Sequence, residues 1–318
     1  MSQLPEKFLE RLAEFIPPEK LPSVLDAFTK ERAVTFRANT VKASANDLTK
    51  ELQALGFAIE QFSWYKDAFI LKNKSKEELL DTKLYKEGFF YIQNVSSMLP
   101  PLMLDPKPGE TILDMAASPG SKTTQLAALM QNTGTIIAND KSPKRIFKLV
   151  ANLKEQGVTN TITSVMPGEF LWKKYPEYFD KVLLDAPCTM EGRFTTCDAD
   201  SYKDWSPRKI KELANLQKWM LRSAISCTKV GGTILYSTCA MSPEENEEVI
   251  EYILGKCKDT ILIEPISLEK IPRENGLTIF RKKNFSREIA KTIRLYPDSL
   301  FEGFYIAKLQ KVSSSFLV

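Results

Sequence analysis

Between residues 110 and 254, short apolar, β-prone runs alternate with stretches of helical spacing, and this alternation leaves few architectures open. The pattern predicts strands at 110–115, 134–139, 160–165, 180–185 and 232–237, and helices at 121–131, 143–156, 207–228 and 243–254. Strand followed by helix, repeated, implies βαβ units: an α/β fold with a mainly parallel sheet and helices on both faces. Ligands of such sheets sit beyond the carboxyl ends of the strands, so the residues at those ends are where chemistry is expected.

Two strand ends carry the same arrangement. Gly231-Gly232-Thr233-Ile234-Leu235-Tyr236-Ser237-Thr238 runs into Cys239, and Ser242-Pro243-Glu244-Glu245 then caps and starts a helix. Val182-Leu183-Leu184-Asp185-Ala186-Pro187-Cys188 repeats the order of apolar strand, polar residue and cysteine. Two thiols and a carboxylate are thus delivered from two strand ends.

The chain contains no histidine. That excludes Ser-His-Asp and Cys-His catalysis and every zinc site that needs imidazole. A cysteine nucleophile must then be activated by its position, by a nearby cation or by its substrate. Cys197, Cys227 and Cys257 have no motif around them and read as packing or surface residues. With no CxxC pair, no metal site is expected.

An earlier strand-to-helix turn, Asp114-Met115-Ala116-Ala117-Ser118-Pro119-Gly120-Ser121-Lys122-Thr123, is rich in small residues. Small residues let the backbone approach a ligand, and the following helix start offers N–H groups. The turn is neither GxGxxG nor GxxxxGK[ST], and alone it reads equally as a tight turn with no ligand. The next strand, however, ends in Ala138-Asn139-Asp140, where a Rossmann-like fold places a carboxylate on ribose hydroxyls. Turn and acid together point to a nucleoside cofactor, while Lys144 and Arg145 read as a solvated face.

The flanks are less informative. Two short proline-joined helices, a strand at 33–39, a helix at 45–55 and strands at 57–64 and 68–71 make residues 1–83 a helical and α+β module, a candidate for RNA binding. Lys72–Lys83 reads as a charged linker, Asn94 caps a helix over Val95–Leu104, and 292–295 with 303–309 form a closing strand pair. No apolar run reaches the ~20 residues of a membrane span. The N-terminal Met1-Ser2-Gln3-Leu4-Pro5-Glu6 lacks the features of a signal peptide, and five cysteines without regular spacing suit a reducing, cytoplasmic compartment. The formal charge of +4 is only a weak pointer to a polyanionic partner, and no appended RNA-binding domain is visible before Val318.

Taken together these motifs resemble the Nop/Sun-type (nucleolar protein/Sun) RNA cytosine-5 methyltransferases. The resemblance is carried by Gln93-Asn94-Val95-Ser96-Ser97, by Asp114 to Thr123, by Asp185 to Cys188 with Glu191-Gly192, and by Tyr236 to Cys239 with Ser242-Pro243-Glu244-Glu245-Asn246. It is strong over about 85–312, where Gly303–Lys308 matches the closing strand, and weak before that. The resemblance implies a Rossmann-like catalytic domain over 84–318, S-adenosyl-L-methionine as cofactor, and transfer or ribosomal RNA as partner. It implies that Cys239 is the nucleophile, that Cys188 assists release, and that Asp185 contacts the cytosine edge. Ala116, Ala117, Ser118, Pro119, Gly120, Ser121 and Lys122, with Asp140 and Asp185, would hold the cofactor, and Lys122 would also sit near the base.

Departures and ambiguities accompany it. Ala116 and Ser118 stand where the family often has Cys and Ala, and Pro167 stands where an aspartate usually meets adenine. The basic stretches Arg281, Lys282, Lys283, Arg287, Lys291, Arg294 and Lys203, Arg208, Lys209, Lys211 read equally as phosphate contacts or solvated faces. Phe194 and Trp205 read as packing. Two rival readings are an RNA-binding assembly factor without turnover and a DNA cytosine methyltransferase using Cys188.

Overall fold

The computed structural model describes residues 3–257 and 259–314; Met1, Ser2, Lys258 and 315–318, and with them the outer limits of both expected domains, lie outside the described residues. The chain opens with α1 (Glu6–Ala13) and α2 (Leu21–Ala27), then β1 (Thr35–Ala38), α3 (Ala45–Ala54), β2 (Ile59–Gln61) and β3 (Ala68–Leu71). The stretch expected as a charged linker, Lys72–Lys83, forms a short helix instead, α4 (Lys76–Leu80), and α5 (Lys83–Lys86) starts at its last residue. Ser75 and Glu78 cap α4 reciprocally, the Glu78 N–H donating to Ser75 Oγ (3.1 Å) and the Ser75 N–H to Glu78 Oε2 (2.8 Å). Leu79 then buries among Phe36, Phe69 and Phe90, which fixes the helix to the module.

After β4 (Phe90–Ile92) and α6 (Val95–Leu104) comes the expected alternation: β5 (Thr111–Asp114), α7 (Ser121–Leu129), β6 (Thr135–Asn139), α8 (Pro143–Glu155), β7 (Thr161–Ser164), β8 (Phe179–Asp185), α9 (Pro207–Cys227), β9 (Thr228–Thr238) and α10 (Glu247–Lys256). One start differs. The helix expected from 243 begins at Glu247, because Pro243–Glu245 is a 3-10 turn and Asn246 leaves helical geometry at φ −118°, ψ −97°. The Asn246 side chain is committed elsewhere: Oδ1 accepts from Thr238 Oγ1 (2.5 Å) and Nδ2 donates to the Ala240 carbonyl (3.0 Å). The chain closes with β10 (Ile261–Glu264), β11 (Glu274–Asn275), β12 (Ile279–Phe280), β13 (Lys283–Asn284), β14 (Ile293–Leu295) and β15 (Phe304–Lys311), the last two pairing antiparallel as expected.

The chain divides into two compact units, Ala33–Pro167 and a discontinuous one made of Met1–Arg32 with Gly168–Val318. In the first, β2-β3-β1-β4 form an antiparallel sheet, and β5, β6 and β7 run parallel with Asp114 opposite Ala138 and Asn139 opposite Ser164. Arg37 ties these parts together: fully buried on β1, it donates to Gln93 Oε1 (2.8 Å), to the Ser121 carbonyl (3.0 Å) and to Thr124 Oγ1 (2.5 Å) of α7.

In the discontinuous unit, β8 and β9 run parallel with Asp185 opposite Ser237, and β15 lies antiparallel to β9. The apolar faces of α1 and α2 bury into this unit, with Phe8, Leu12, Phe15 and Phe28 in one cluster with Phe194, Met241 and Phe280. Among the described residues no helix is long and apolar enough to cross a membrane.

The basic stretch near the C-terminus is mostly neutralised at home. Arg281 pairs with Glu14 and Glu244, Lys283 with Glu248, and Lys291 with Glu288. Arg294 is no surface residue at all: it is buried against the Glu247 carboxylate, so it cannot be a phosphate contact or part of a solvated face.

Candidate active site

The register of β8 on β9 sets the site. Asp185 and Ser237 are level across the two strands, and Ser237 Oγ donates to Asp185 Oδ1 at 2.8 Å. The next strand residue, Thr238, is followed by Cys239, while three residues carry the chain from Asp185 to Cys188. The two sulfurs finish 3.4 Å apart, as free thiols that share a hydrogen bond. A disulfide would need about 2.05 Å. Both cysteines are partly exposed, whereas Cys227 and Cys257 are buried and Cys197 lies on the surface, as their lack of motif context suggested.

Cys188 is held in its protonated form. The hydrogen bond with Cys239, followed by burial, pushes the Cys188 thiol well above its ordinary range. Two thiolates this close would repel, so ionising one raises the cost of ionising the other. The pair therefore suits a single thiolate with a neutral partner.

Buried carboxylates fix the loops that carry the thiols. Glu245 accepts from the Thr189 N–H (3.0 Å) and from Gln217 Nε2 (2.9 Å), and it is bonded to Thr189 Oγ1. Gln217, on α9, also donates to the Pro187 carbonyl at 2.9 Å, so residues 187–189 are clamped on both sides of Cys188. Glu191 does the same for the other cysteine: its carboxylate accepts from the N–H groups of Met241 (2.9 Å) and Ser242 (2.7 Å), from Ser242 Oγ (2.8 Å) and from Trp205 Nε1 (2.7 Å). Burial, with Glu191 nearby, pushes the Glu245 carboxyl up to about 8.

Phe194 and Trp205 pack, as expected: the Phe194 ring is fully buried at 4.9 Å from Phe8, and Trp205 is edge-on to Phe8 at 5.6 Å. Beside them a cavity of 240 Å³ opens onto Cys188, lined by Met190, Tyr202, Trp205 and Lys209 among others. A larger cavity of 420 Å³ between the 169–173 turn and α9 contains none of the expected site residues.

Of the expected cofactor residues, Asp185 ends β8, and the others belong to the other unit, at the ends of β5 and β6. Their backbone is pinned at nearly every step. The Ala117 N–H donates to the Asn139 carbonyl (2.7 Å), Arg145 donates to the Ser118 carbonyl (2.5 Å), Asn152 donates to the Pro119 carbonyl (2.7 Å), and Lys122 Nζ donates to Ser97 Oγ (2.8 Å). Ala116 and Ser121 are partly exposed between these anchors. Gly120 caps α7 at φ +111°, a left-handed conformation that glycine adopts without strain, and no side chain caps the helix. Arg145 is not simply a solvated side chain: its Nη1 lies 3.2 Å from Asp140.

Among the described residues Ser118 Oγ is buried without a hydrogen-bond partner, while Asp140 Oδ2 makes no hydrogen bond but is the oxygen that Arg145 Nη1 faces at 3.2 Å. Leaving such a hydroxyl unmet costs about 1–3 kcal/mol, so Ser118 Oγ suits a polar group of a ligand. Pro167 is exposed and offers no side-chain acceptor, and the adjoining Met166 backbone is occupied at both N–H (3.0 Å) and carbonyl (2.9 Å) by Asn139.

Sequence reasoning did not single out Gln217, and it quoted Glu191 and Glu245 only as parts of motifs. Their signal is acids set close after the strand-end cysteines. Gln217 carries no such signal.

Residues 101–310 match the family described as 16S rRNA methyltransferase RsmB/F, and residues 4–95 match the N-terminal domain of 16S rRNA methyltransferase RsmF. The chain belongs to the RsmB/F methyltransferase family. Among its relatives, ribosomal RNA small subunit methyltransferase F of Vibrio cholerae is 34% identical over 98% of this chain and 64% of that protein. The tRNA (cytosine(49)-C(5))-methyltransferase of Pyrococcus abyssi is 36% identical over 96% of both. The crystal structure of a methyltransferase homolog protein from Pyrococcus horikoshii superposes with a TM-score of 0.81 at 35% identity, covering 98% of this chain and 100% of that one. This RsmB/F chain thus spans somewhat under two thirds of the length of its rRNA-modifying relatives. Its fold is the expected α/β, Rossmann-like methyltransferase fold with an N-terminal module.

Proposed function

We propose that this RsmB/F protein transfers a methyl group to carbon 5 of a cytosine in ribosomal or transfer RNA. The observation that carries the reading is the pair of sulfurs 3.4 Å apart at adjacent parallel strand ends, with Asp185 anchored beside them by Ser237. The relatives' printed activities, on small-subunit ribosomal RNA and on cytosine 49 of transfer RNA, supply the substrate class.

Carbon 5 of cytosine is a poor nucleophile. A thiolate at Cys239 adds to carbon 6, forming a C–S bond while the displaced π electrons move through the ring toward N3, where Asp185 meets the base edge. The resulting enamine makes carbon 5 nucleophilic, and the hard substitution becomes two easier steps. S-adenosyl-L-methionine, held at 116–122 and by Asp140, supplies an electrophilic methyl group when bound. Loss of the carbon 5 proton to a base then restores the double bond and expels the Cys239 thiolate. Cys188, kept neutral by its neighbour, hands a proton toward the departing sulfur. The target cytosine must be unpaired or turned out of its stack to reach these groups.

The test is a pair of substitutions assayed with total RNA and labelled S-adenosylmethionine. Cys239→Ala abolishes methyl transfer, whereas Cys188→Ala accumulates an RNA–protein adduct that survives a denaturing gel. An adduct with Cys239→Ala instead reverses the two roles, as in the DNA-type reading, and a wild-type protein that methylates no RNA favours an assembly factor.

A further inference from the structure

We infer that Arg193 supplies the positive charge that lets the Cys188–Cys239 pair ionise, with Glu302 setting how much of that charge the sulfurs feel. The inference deepens the proposed function and rests on its assumption that one of these sulfurs reacts as a thiolate.

In a chain without histidine, a nearby cation is one of the ways left to activate a cysteine nucleophile. The carboxylates around the thiols work in the opposite direction. Asp185 lies at the end of β8, Glu245 holds Thr189, Glu191 holds the 241–242 turn, and Glu302 precedes β15. Each of these, when ionised, disfavours a second anion nearby.

Arg193 stands among them on a short turn that is itself bonded to the nucleophile. The Gly192 N–H, one residue earlier, donates to the Cys239 carbonyl at 2.8 Å, and the Gly192 carbonyl accepts from the Gly303 N–H (3.1 Å) and from Arg32 (3.1 Å). The Arg193 guanidinium meets Glu302 at 3.4 Å. Glu302 first, then Cys239, Cys188 and Asp185, favour its charged form, against the cost of burial. By reciprocity the charge on Arg193 favours thiolate at either cysteine. Arg32 is held below its ordinary range by burial, and Glu302 acts on it in the opposite direction. The Arg193 side chain is about half exposed, so water and salt reduce its effect.

The geometry gives Arg193 and Glu302 opposite effects, and this separates an electrostatic role from a structural one. The experiment measures iodoacetamide alkylation against pH in the RNA-free protein, with Cys239 and Cys188 followed separately by peptide mass spectrometry and Cys197 as internal control. Arg193→Gln should raise the pH midpoint of the more reactive thiol by about half a unit to one unit. Arg193→Lys should stay close to wild type. Glu302→Gln, which leaves Arg193 uncompensated, should lower the midpoint. Unchanged midpoints in Arg193→Gln, or a shift of the same sign in Arg193→Gln and Glu302→Gln, overturn the inference. Because no RNA or methyl donor is present, a protein that shows these shifts yet methylates nothing counts against the proposed function alone.

Discussion

Gly192 donates its backbone N–H to the carbonyl of Cys239 at 2.8 Å, so the loop after β8 is laced to the loop after β9 at the residue proposed to react. The lacing depends on the absence of a side chain. A Cβ on Gly192 would run into the Gly303 carbonyl, which lies directly behind it. Gly192→Ala should therefore cost about 1–3 kcal/mol of stability through overpacking. It should also reduce single-turnover methyl transfer by tenfold or more, because the strand-end sulfur shifts with the loop. Denaturant unfolding and a single-turnover assay read the two effects separately, and a variant with wild-type turnover would show that this contact does not position Cys239.

Glu245 predicts how stability depends on pH. Its carboxyl is raised from about 4.5 in the unfolded chain to about 8 in the fold, chiefly by burial. The folded protein thus binds a proton that the unfolded chain has lost. The contribution is complete below the unfolded value, declines as pH rises from about 4.5, and is gone once pH passes about 8. Glu245→Gln, neutral throughout, should flatten this decline. The expected difference is on the order of a few kcal/mol in unfolding free energy between acidic and alkaline conditions. Urea titrations at several pH values measure it, and parallel curves for the two proteins would contradict the assignment.

The buried Arg294–Glu247 pair makes a third prediction. Arg294 Nε donates to Glu247 Oε1 at 2.5 Å, Nη2 to Oε2, and Nη1 to the Met241 carbonyl at 2.8 Å. Removing one partner strands a charge in the core, so Glu247→Ala should cost about 3–5 kcal/mol. Replacing both partners with apolar residues should cost much less than the sum of the single changes. A double-mutant cycle by denaturant unfolding checks this, and additive losses would argue that the charges do not depend on each other.

Asp140 gives a prediction about the cofactor unit. Its Oδ1 accepts from the Ser142 N–H at 2.9 Å, while Oδ2 makes no hydrogen bond and faces Arg145 Nη1 at 3.2 Å. If ribose hydroxyls meet that oxygen, Asp140→Asn should weaken S-adenosylmethionine binding by about tenfold or more while leaving the unfolding midpoint nearly unchanged. Calorimetric titration decides it. Equal affinities would remove Asp140 from the cofactor site.

The alternation from β5 to β9 was legible because each element keeps one period: apolar runs for the buried strands, 3.6-residue spacing for the helices. Asp185, Cys188 and Cys239 could be read as strand-end residues for the same reason, and the register that brings them together follows once β8 and β9 are neighbours. Other features were hidden because their signals are not periodic. The α4 helix rests on a Ser75–Glu78 cap inside a stretch whose charge suggests only solvent. The late start of α10 depends on what the Asn246 side chain bonds. Arg294 looked like one of a row of surface cations, and only its pairing with Glu247 removes it from that row. Gln217 and Arg193 act through partners distant in sequence, which no local reading can supply.

The discontinuous unit has a consequence for how the protein is made. The helices that carry Phe8 and Phe28 leave the ribosome first, yet the aromatic neighbours that cover them, Phe194 and Phe280, are synthesised only after the whole of Ala33–Pro167. Folding as units, N-terminal first during synthesis, cannot run in simple sequence order here. The intervening segment can take shape while the leading helices wait with their greasy sides uncovered. The thiol-bearing half closes last, when β15 arrives to pair with β9.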